Sequence, residues 1–339
     1  MSKSVMNIEA LSQNLFHDTK VYTLAEDETS QIIQVQNDTG DGLMSSYMVF
    51  PGVYLMFNDF HMEQCESQFQ AEVDMLCIDH CREGRIEQEI KNGAYIYLGA
   101  GDLCVDRRMN SGRHVEFPLG HYHGVSISFV LKDANEGINS YIKDFPVDIA
   151  RLKKKYCDGR INLVLQNEPG LEGILADLYA VPAQIRLPYF RVKIQELLLY
   201  LDALEIPATQ MERPYFFKTQ VEKTKAIHTL MTNNMEQHFT LQELSERFDF
   251  PMTAMKNCFK NIYGDSIFSY MRVYRINQAA VLLRRNREKS VLEIAAQMGY
   301  DSPGKFSTAF KKIMGVSPLT YRKSSVGLDK KHPDGKERN

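Results

Sequence analysis

Three groups of side chains in this 339-residue sequence have the types and spacing to do chemistry. The first is Thr253, Lys256 and Asn257, matched some fifty residues later by Lys305, Ser307 and Thr308. Lysine donates to guanine O6 and N7, asparagine pairs bidentately with adenine, and threonine meets an acceptor or the thymine methyl. Lys260, Lys311, Lys312 and Arg322 follow at or beyond the far end of the same segments, where cations and polar groups neutralise phosphates rather than read bases; Ser302 joins them from the start of the second segment. The second group is His121-Tyr122-His123. On a strand, alternation would put both imidazoles on one face, as a metal site requires. No third carboxylate or distant histidine follows at a matching spacing, and Gly120 and Gly124 favour a turn, so no metal and no cofactor are expected. The third group is Cys77, His80 and Cys81. Along a strand the two thiols stand about 13 Å apart at 3.3 Å per residue, too far to share an ion, and are expected as buried structural thiols.

Composition bounds what can position these groups. With 44% hydrophobic, 24% charged and 10% aromatic residues, the chain has the make-up of two or three globular domains, not of a disordered protein. No run approaches the roughly 18 apolar residues of a membrane span, and Met1-Ser2-Lys3-Ser4-Val5 lacks the apolar core of a secretory signal. Six scattered cysteines without zinc-finger spacing read as reduced thiols, so the expected location is cytoplasmic. The net charge of -3 conceals an asymmetry: residues 215–339 carry 21 Lys and Arg against 12 Asp and Glu, and residues 1–214 carry 19 against 31. Only the C-terminal part is suited to displace counterions from a nucleic acid.

Between about Ser45 and Leu131, short apolar or alternating runs punctuated by glycine turns predict strands of a small barrel or sandwich. From Ile138 the period changes to helical, and 205–214, with two prolines, is the expected linker. The region from Thr219 to Arg322 is helical and internally repeated. Leu241, Leu244 and Ser245 recur 50 positions later as Val291, Ile294 and Ala295; Met255, Phe259, Lys260, Gly264, Ser266 and Tyr270 recur at 51 as Phe306, Phe310, Lys311, Gly315, Ser317 and Tyr321. Each unit opens on a capping box, Thr240-Leu241-Gln242-Glu243 and Ser290-Val291-Leu292-Glu293. A second helix follows in each, about 252–263 and 303–314, the latter capped by Ser302 with Pro303 at its first position. These are two helix-turn-helix units. A helix over 266–285 joins them; its roughly 30 Å nearly equals the 34 Å of one DNA turn, so both second helices can enter successive major-groove segments on one face.

At these residues the sequence resembles the AraC-type bacterial transcription regulators. The resemblance spans about 219–323 and is densest in Ile294-Ala295-Ala296-Gln297-Met298-Gly299-Tyr300-Asp301-Ser302, Phe306-Ser307-Thr308-Ala309-Phe310-Lys311-Lys312, Gly315-Val316-Ser317-Pro318 and Tyr321-Arg322. Pro251 stands where the family usually caps its first recognition helix with serine, and Asn257 and Thr308 replace its usual late arginines, so promoter preference does not carry over. The resemblance implies that Thr253, Lys256, Asn257, Lys305, Ser307 and Thr308 reach base edges of double-stranded promoter DNA. It also implies an α+β multidomain architecture: an effector-sensing and dimerisation domain over 1–204 (a cupin-like β-barrel at about 20–135 and helices at 138–204), a linker 205–218, a double helix-turn-helix domain 219–323 and a flexible tail 324–339. The expected partners are a small-molecule effector, RNA polymerase and a second copy of the chain, the outcome being ligand-controlled activation. The effector residues are not specified, although Tyr95, Tyr97, Met75, Cys77, Arg107 and His114 are inward candidates. Phe190, Ile194, Leu197, Leu201 and Leu204, at spacings of 4, 3, 4 and 3, form an apolar seam of the coiled-coil kind and are the expected dimer contact; packing onto the barrel is the competing explanation. The rival to a regulator is a metal-dependent cupin enzyme fused to a DNA-binding module, for which His121 and His123 alone are too few ligands.

Overall fold

The computed structural model describes residues 19–66, 73–90, 93–107, 114–158, 162–166, 168–206, 215–286 and 288–324. The chain divides into two compact units, Met1–Lys218 and Thr219–Asn339.

The first unit is built on strands β1 (Lys20–Glu26), β2 (Ser30–Asn37), β3 (Gly40–Phe50), β4 (Val53–His61), β5 (Gln64–Glu66), β6 (Met75–Ile90), β7 (Ala94–Gly99), β8 (Asp102–Asp106), β9 (His114–Glu116) and β10 (Tyr122–Val130). Helices α1 (Leu131–Asn139) and α2 (Ile149–Cys157), strand β11 (Asn162–Gln166), helices α3 (Pro169–Ala176) and α4 (Arg186–Ala203), and strand β12 (Phe216–Phe217) follow. All pairings are antiparallel, along the path β1-β2-β3-β4-β10-β6-β7-β12, with β8 bridging β6 to β11 and β9 bridging β6 to β5. Ile33 and Val35 of β2 share a buried cluster with Cys104 of β8 and Val164 of β11, strands well removed along that path. The sheet is therefore curled into a half-barrel. Its other face carries Val53, Leu55, Val125, Ile127 and Phe129, which pack against Ile138, Leu152, Tyr156, Leu175, Phe190 and Ile194 of the helices. Alternation along each strand explains the division: β4 and β10 send odd-numbered residues to the helices and even-numbered ones into the curl.

Two expected boundaries change. The helical region begins at Leu131 rather than 138 and contains a strand, β11, whose apolar run Leu163-Val164-Leu165 pairs with β8 across half the domain. Residues 216–217 of the expected linker pair with β7, and helix α5 starts at Lys218. The central linker residues 207–214 and tail residues 325–339 lie outside the described residues.

The second unit is helical among its described residues: α5 (Lys218–Asn233), α6 (Leu241–Arg247), α7 (Met252–Tyr263), α8 (Ile267–Arg285), α9 (Val291–Gln297), α10 (Pro303–Met314) and α11 (Pro318–Ser324). The molecule is thus an α+β protein with a curled sheet in one unit and paired helix-turn-helix elements in the other.

Candidate nucleic-acid interface

The two helix-turn-helix units share the cap of the first helix, the turn and the end of the second helix, and differ at the start of the second, which Ser302 caps in one unit and Pro251 precedes in the other. Thr240 and Ser290 each accept from the backbone of the glutamate three residues on, at 3.1 Å, while Glu243 and Glu293 accept from the cap N–H at 2.7 and 2.6 Å. Those bonds from the cap backbone, and then from the cap hydroxyl, hold both carboxyls below their ordinary range. In the turn, Phe250 N–H donates to Ser245 O and Tyr300 N–H to Ala295 O, both at 2.9 Å. The residue before each is left-handed: Asp249 with φ +44° and Gly299 with φ +75°. The second helices end alike on left-handed Gly264 and Gly315.

Packing decides which face of each second helix is free. Met255, Cys258, Phe259 and Ile262 of α7 are buried, as are Phe306 and Phe310 of α10, with Ala309 and Ile313 half-buried. The opposite faces expose Thr253, Lys256, Asn257 and Lys260 in one unit and Lys305, Thr308, Lys311 and Lys312 in the other; Ser307 and Arg322 are half-buried. No carboxylate among the described residues pairs with Lys256, Lys260, Lys305, Lys311 or Lys312, which leaves five ammonium groups to meet an external anion. The half-buried Ser302 caps α10 by accepting from Lys305 N–H. Asn261, not singled out from the sequence, donates its Nδ2 to Asn257 Oδ1 at 3.2 Å, occupying one of the two lone pairs of the oxygen that bidentate pairing with adenine would use. Its signal was the four-residue spacing on one helix face.

Helix α8, 19 residues or roughly 29 Å, spans the two units. Arg275 on it donates to Gln237 O at 2.7 Å, and His238 meets Gly299 O at 2.6 Å, tying the α5–α6 connection to the second turn. At the other end, His228 stacks on Tyr263 with centroids 4.3 Å apart and its Nε2 lies 2.9 Å from the Tyr270 hydroxyl. Burial pushes this imidazole down to about 4.

In the sheet unit the structure revises two expectations. Phe190, Ile194, Leu197 and Leu201 are at most 1% exposed and lie in the core between α4 and the sheet, with Leu204 packed at its margin. They are not available as an intermolecular seam: a 4-3 spacing marks a face that must be covered, and here the chain's own sheet and helices cover it. The turn expected around Gly120 and Gly124 holds His121 but not His123. His121 precedes β10 and its Nδ1 meets Leu119 O, whereas His123 lies on the strand beside Asp59 and His61 of β4. These two neighbours come from a strand some sixty residues upstream. All six cysteines are buried thiols outside any disulfide, and burial pushes Cys65 and Cys81 up to about 12. Met75 and Cys77 form a buried cluster with Tyr54 and Val130 at one end of the inner face; His114 sits between Glu66 and Glu116, and Tyr97 donates to Glu87.

Comparison with known proteins agrees with this geometry. Residues 244–324 match a family model described as a helix-turn-helix domain. The Tn10 TetD protein of Escherichia coli is 32% identical over 94 residues, 28% of this chain and 67% of TetD. The transcriptional regulator Rob of Salmonella typhimurium is 30% identical over 28% of this chain and 32% of Rob. The transcriptional activator RhaS of Mannheimia succiniciproducens is 28% identical over 38% of this chain and 47% of RhaS. For these last two the chain matches less than half of the relative's length. Duplicated caps, duplicated turns and two exposed basic helix faces at the ends of one connecting helix, together with these relatives, place the chain in the AraC-type family of DNA-binding transcription regulators.

Proposed function

We propose that this regulator is an effector-controlled, dimeric activator that places α7 and α10 in successive major-groove segments of promoter DNA and acts on RNA polymerase in the cytoplasm. The observation that carries the DNA-reading part is the pair of polar faces, Thr253/Lys256/Asn257 and Lys305/Ser307/Thr308, exposed but for the half-buried Ser307, on equivalent helices joined by about 29 Å of α8. Activation is supported by RhaS, named as an activator. Effector control is supported by the curl's inner face, where Asn58 donates to Ser126, Ser126 to Asp79, and the buried Gln31 amide has no hydrogen-bond partner among the described residues. A buried amide without a partner costs free energy that a polar ligand would recover. Dimerisation is supported by α4's outer stripe, where Val192 and Leu199, one heptad apart, are 59% and 46% exposed.

The test is recovery of DNA bound by the chain in cells, followed by base-by-base substitution of the recovered site. Two half-contacts about one helical turn apart support the reading; a site with a single contacted segment overturns the two-helix part of it. A Gln31→Leu variant that keeps DNA binding but loses its response to cell extract supports the effector pocket, and an unchanged response overturns it.

A further inference from the structure

We propose that Asp59, His61 and His123 form a binding site for a divalent first-row transition metal ion of the zinc type, independent of DNA recognition and of the effector reading. Strand pairing puts His123 of β10 directly opposite Asp59 of β4, and His61 follows two residues on along the same face. His123 Nε2 lies 2.9 Å and His61 Nε2 3.0 Å from the same Asp59 Oδ1, and the two Nε2 atoms are 3.3 Å apart. Donors bonded at about 2.0–2.1 Å to one ion stand roughly 2.9–3.4 Å apart, from right-angled to tetrahedral geometry. All three separations fall in that range. Two imidazoles with one carboxylate select zinc, cobalt, nickel or ferrous iron over magnesium or calcium, which prefer all-oxygen shells.

The surroundings are those of a built site. A bulge at Arg82 in β6 shifts the register between His123 and Gly124, setting Glu83 opposite His123, with Oε2 3.5 Å from its Nδ1. A carboxylate behind the outer ring nitrogen holds the tautomer that frees Nε2 for a metal. The end of β4 is fixed by Gly40, where an added Cβ would meet His61 O at 2.0 Å. Odd-numbered β4 and β10 residues face the helices, which cover the sheet as far as Phe57 and Val125; Tyr179 closes on Phe57, and Asp59 and His61 beyond it are open to solvent. The site therefore lies on the outer face of the curl, opposite the surface that would hold an effector, and a bound ion would clip β4 to β10.

Cobalt(II) is the probe, titrated into chelator-treated full-length protein and followed by its visible d–d absorption, with zinc as competitor. One saturable equivalent per chain, displaced by zinc and accompanied by a rise in Tm, is expected. His61→Ala and His123→Ala should each weaken binding by at least about a hundredfold and Glu83→Gln by about tenfold. His114→Ala, which alters a different acid–histidine cluster, should bind as the parent does. Protons alone can hold these side chains together, both imidazoles donating to Oδ1. Absence of saturable binding at millimolar metal would assign the cluster to such hydrogen bonds alone and overturns the proposal, as does undiminished binding in a His61→Ala/His123→Ala double variant whose circular dichroism matches the parent.

Discussion

Lys256 and Lys305 are both exposed early on the second helices of the two units, just after Met255 in one and just before the corresponding Phe306 in the other, whereas Lys312 lies near the end of its helix. A lysine that reads a base and one that meets a phosphate differ in what their loss does. Lys256→Ala and Lys305→Ala should each cost about 1–3 kcal/mol on the cognate site and relax discrimination nearby. Lys312→Ala should weaken all sequences alike and lower the salt slope by about one phosphate contact. Competition binding on cognate and random duplexes across a salt series checks both. His228 bears on stability. Its folded value of about 4 lies below the ordinary 6.5, so the unfolded chain binds the proton more readily. The stabilisation is complete above about pH 6.5 and lost as pH falls towards 4, by up to about 1.4 kcal/mol per unit. Thermal melts of the helical unit over that window should show a slope that His228→Phe reduces; an unchanged slope would assign the acid sensitivity elsewhere.

Elements decide what these residues can do by fixing which face is covered. Gly299 holds the turn before α10 at φ +75°, and an added Cβ would meet Met235 O at 2.7 Å. Gly299→Ala should therefore destabilise the second helix-turn-helix by about 1–3 kcal/mol. The equivalent Asp249 tolerates φ +44° in a residue type with a short polar side chain, so Asp249→Gly should cost little. Differential melting of the two variants checks the asymmetry. For α4, Leu197→Glu with Leu201→Glu would drive two charges into the core, and the sheet unit should unfold at a cost of several kcal/mol. Val192→Glu with Leu199→Glu touches the exposed stripe and should leave the fold intact while converting a dimer to monomer in sedimentation. A folded, dimeric Val192/Leu199 variant would send the search for the interface to other surfaces.

At the scale of the whole molecule, two units of opposite charge meet at Lys218/Thr219, and each has its own buried core. The capping boxes, the His228–Tyr263 stack and the Arg275 and His238 ties all lie within residues 219–324. A fragment of those residues should fold as a helical domain and bind DNA with a steep salt dependence but without dimer avidity. Circular dichroism and titration at two salt concentrations check it; a folded fragment without salt-sensitive binding would refute the assignment.

The helical unit was legible because its determinants are local. Capping boxes, left-handed glycines and a 3.6-residue period act within one or two turns of chain, and an internal repeat shows each signal twice; Thr240/Glu243 and Ser290/Glu293 needed no tertiary information. The sheet unit was legible only in class. Pairing in a curled antiparallel sheet joins residues far apart in sequence, so β11 and β12 had no local mark of belonging to it. The leucines of α4 announced a buried face, but what buries it is a property of the folded chain, and the answer was this chain's own core, with β3, α2 and α3 packed against the helix, rather than a second copy. His121 and His123 looked like a pair because they are near in sequence. Register, set by hydrogen bonds between β4 and β10, chose His61 and Asp59 as the companions of His123 and left His121 in the turn.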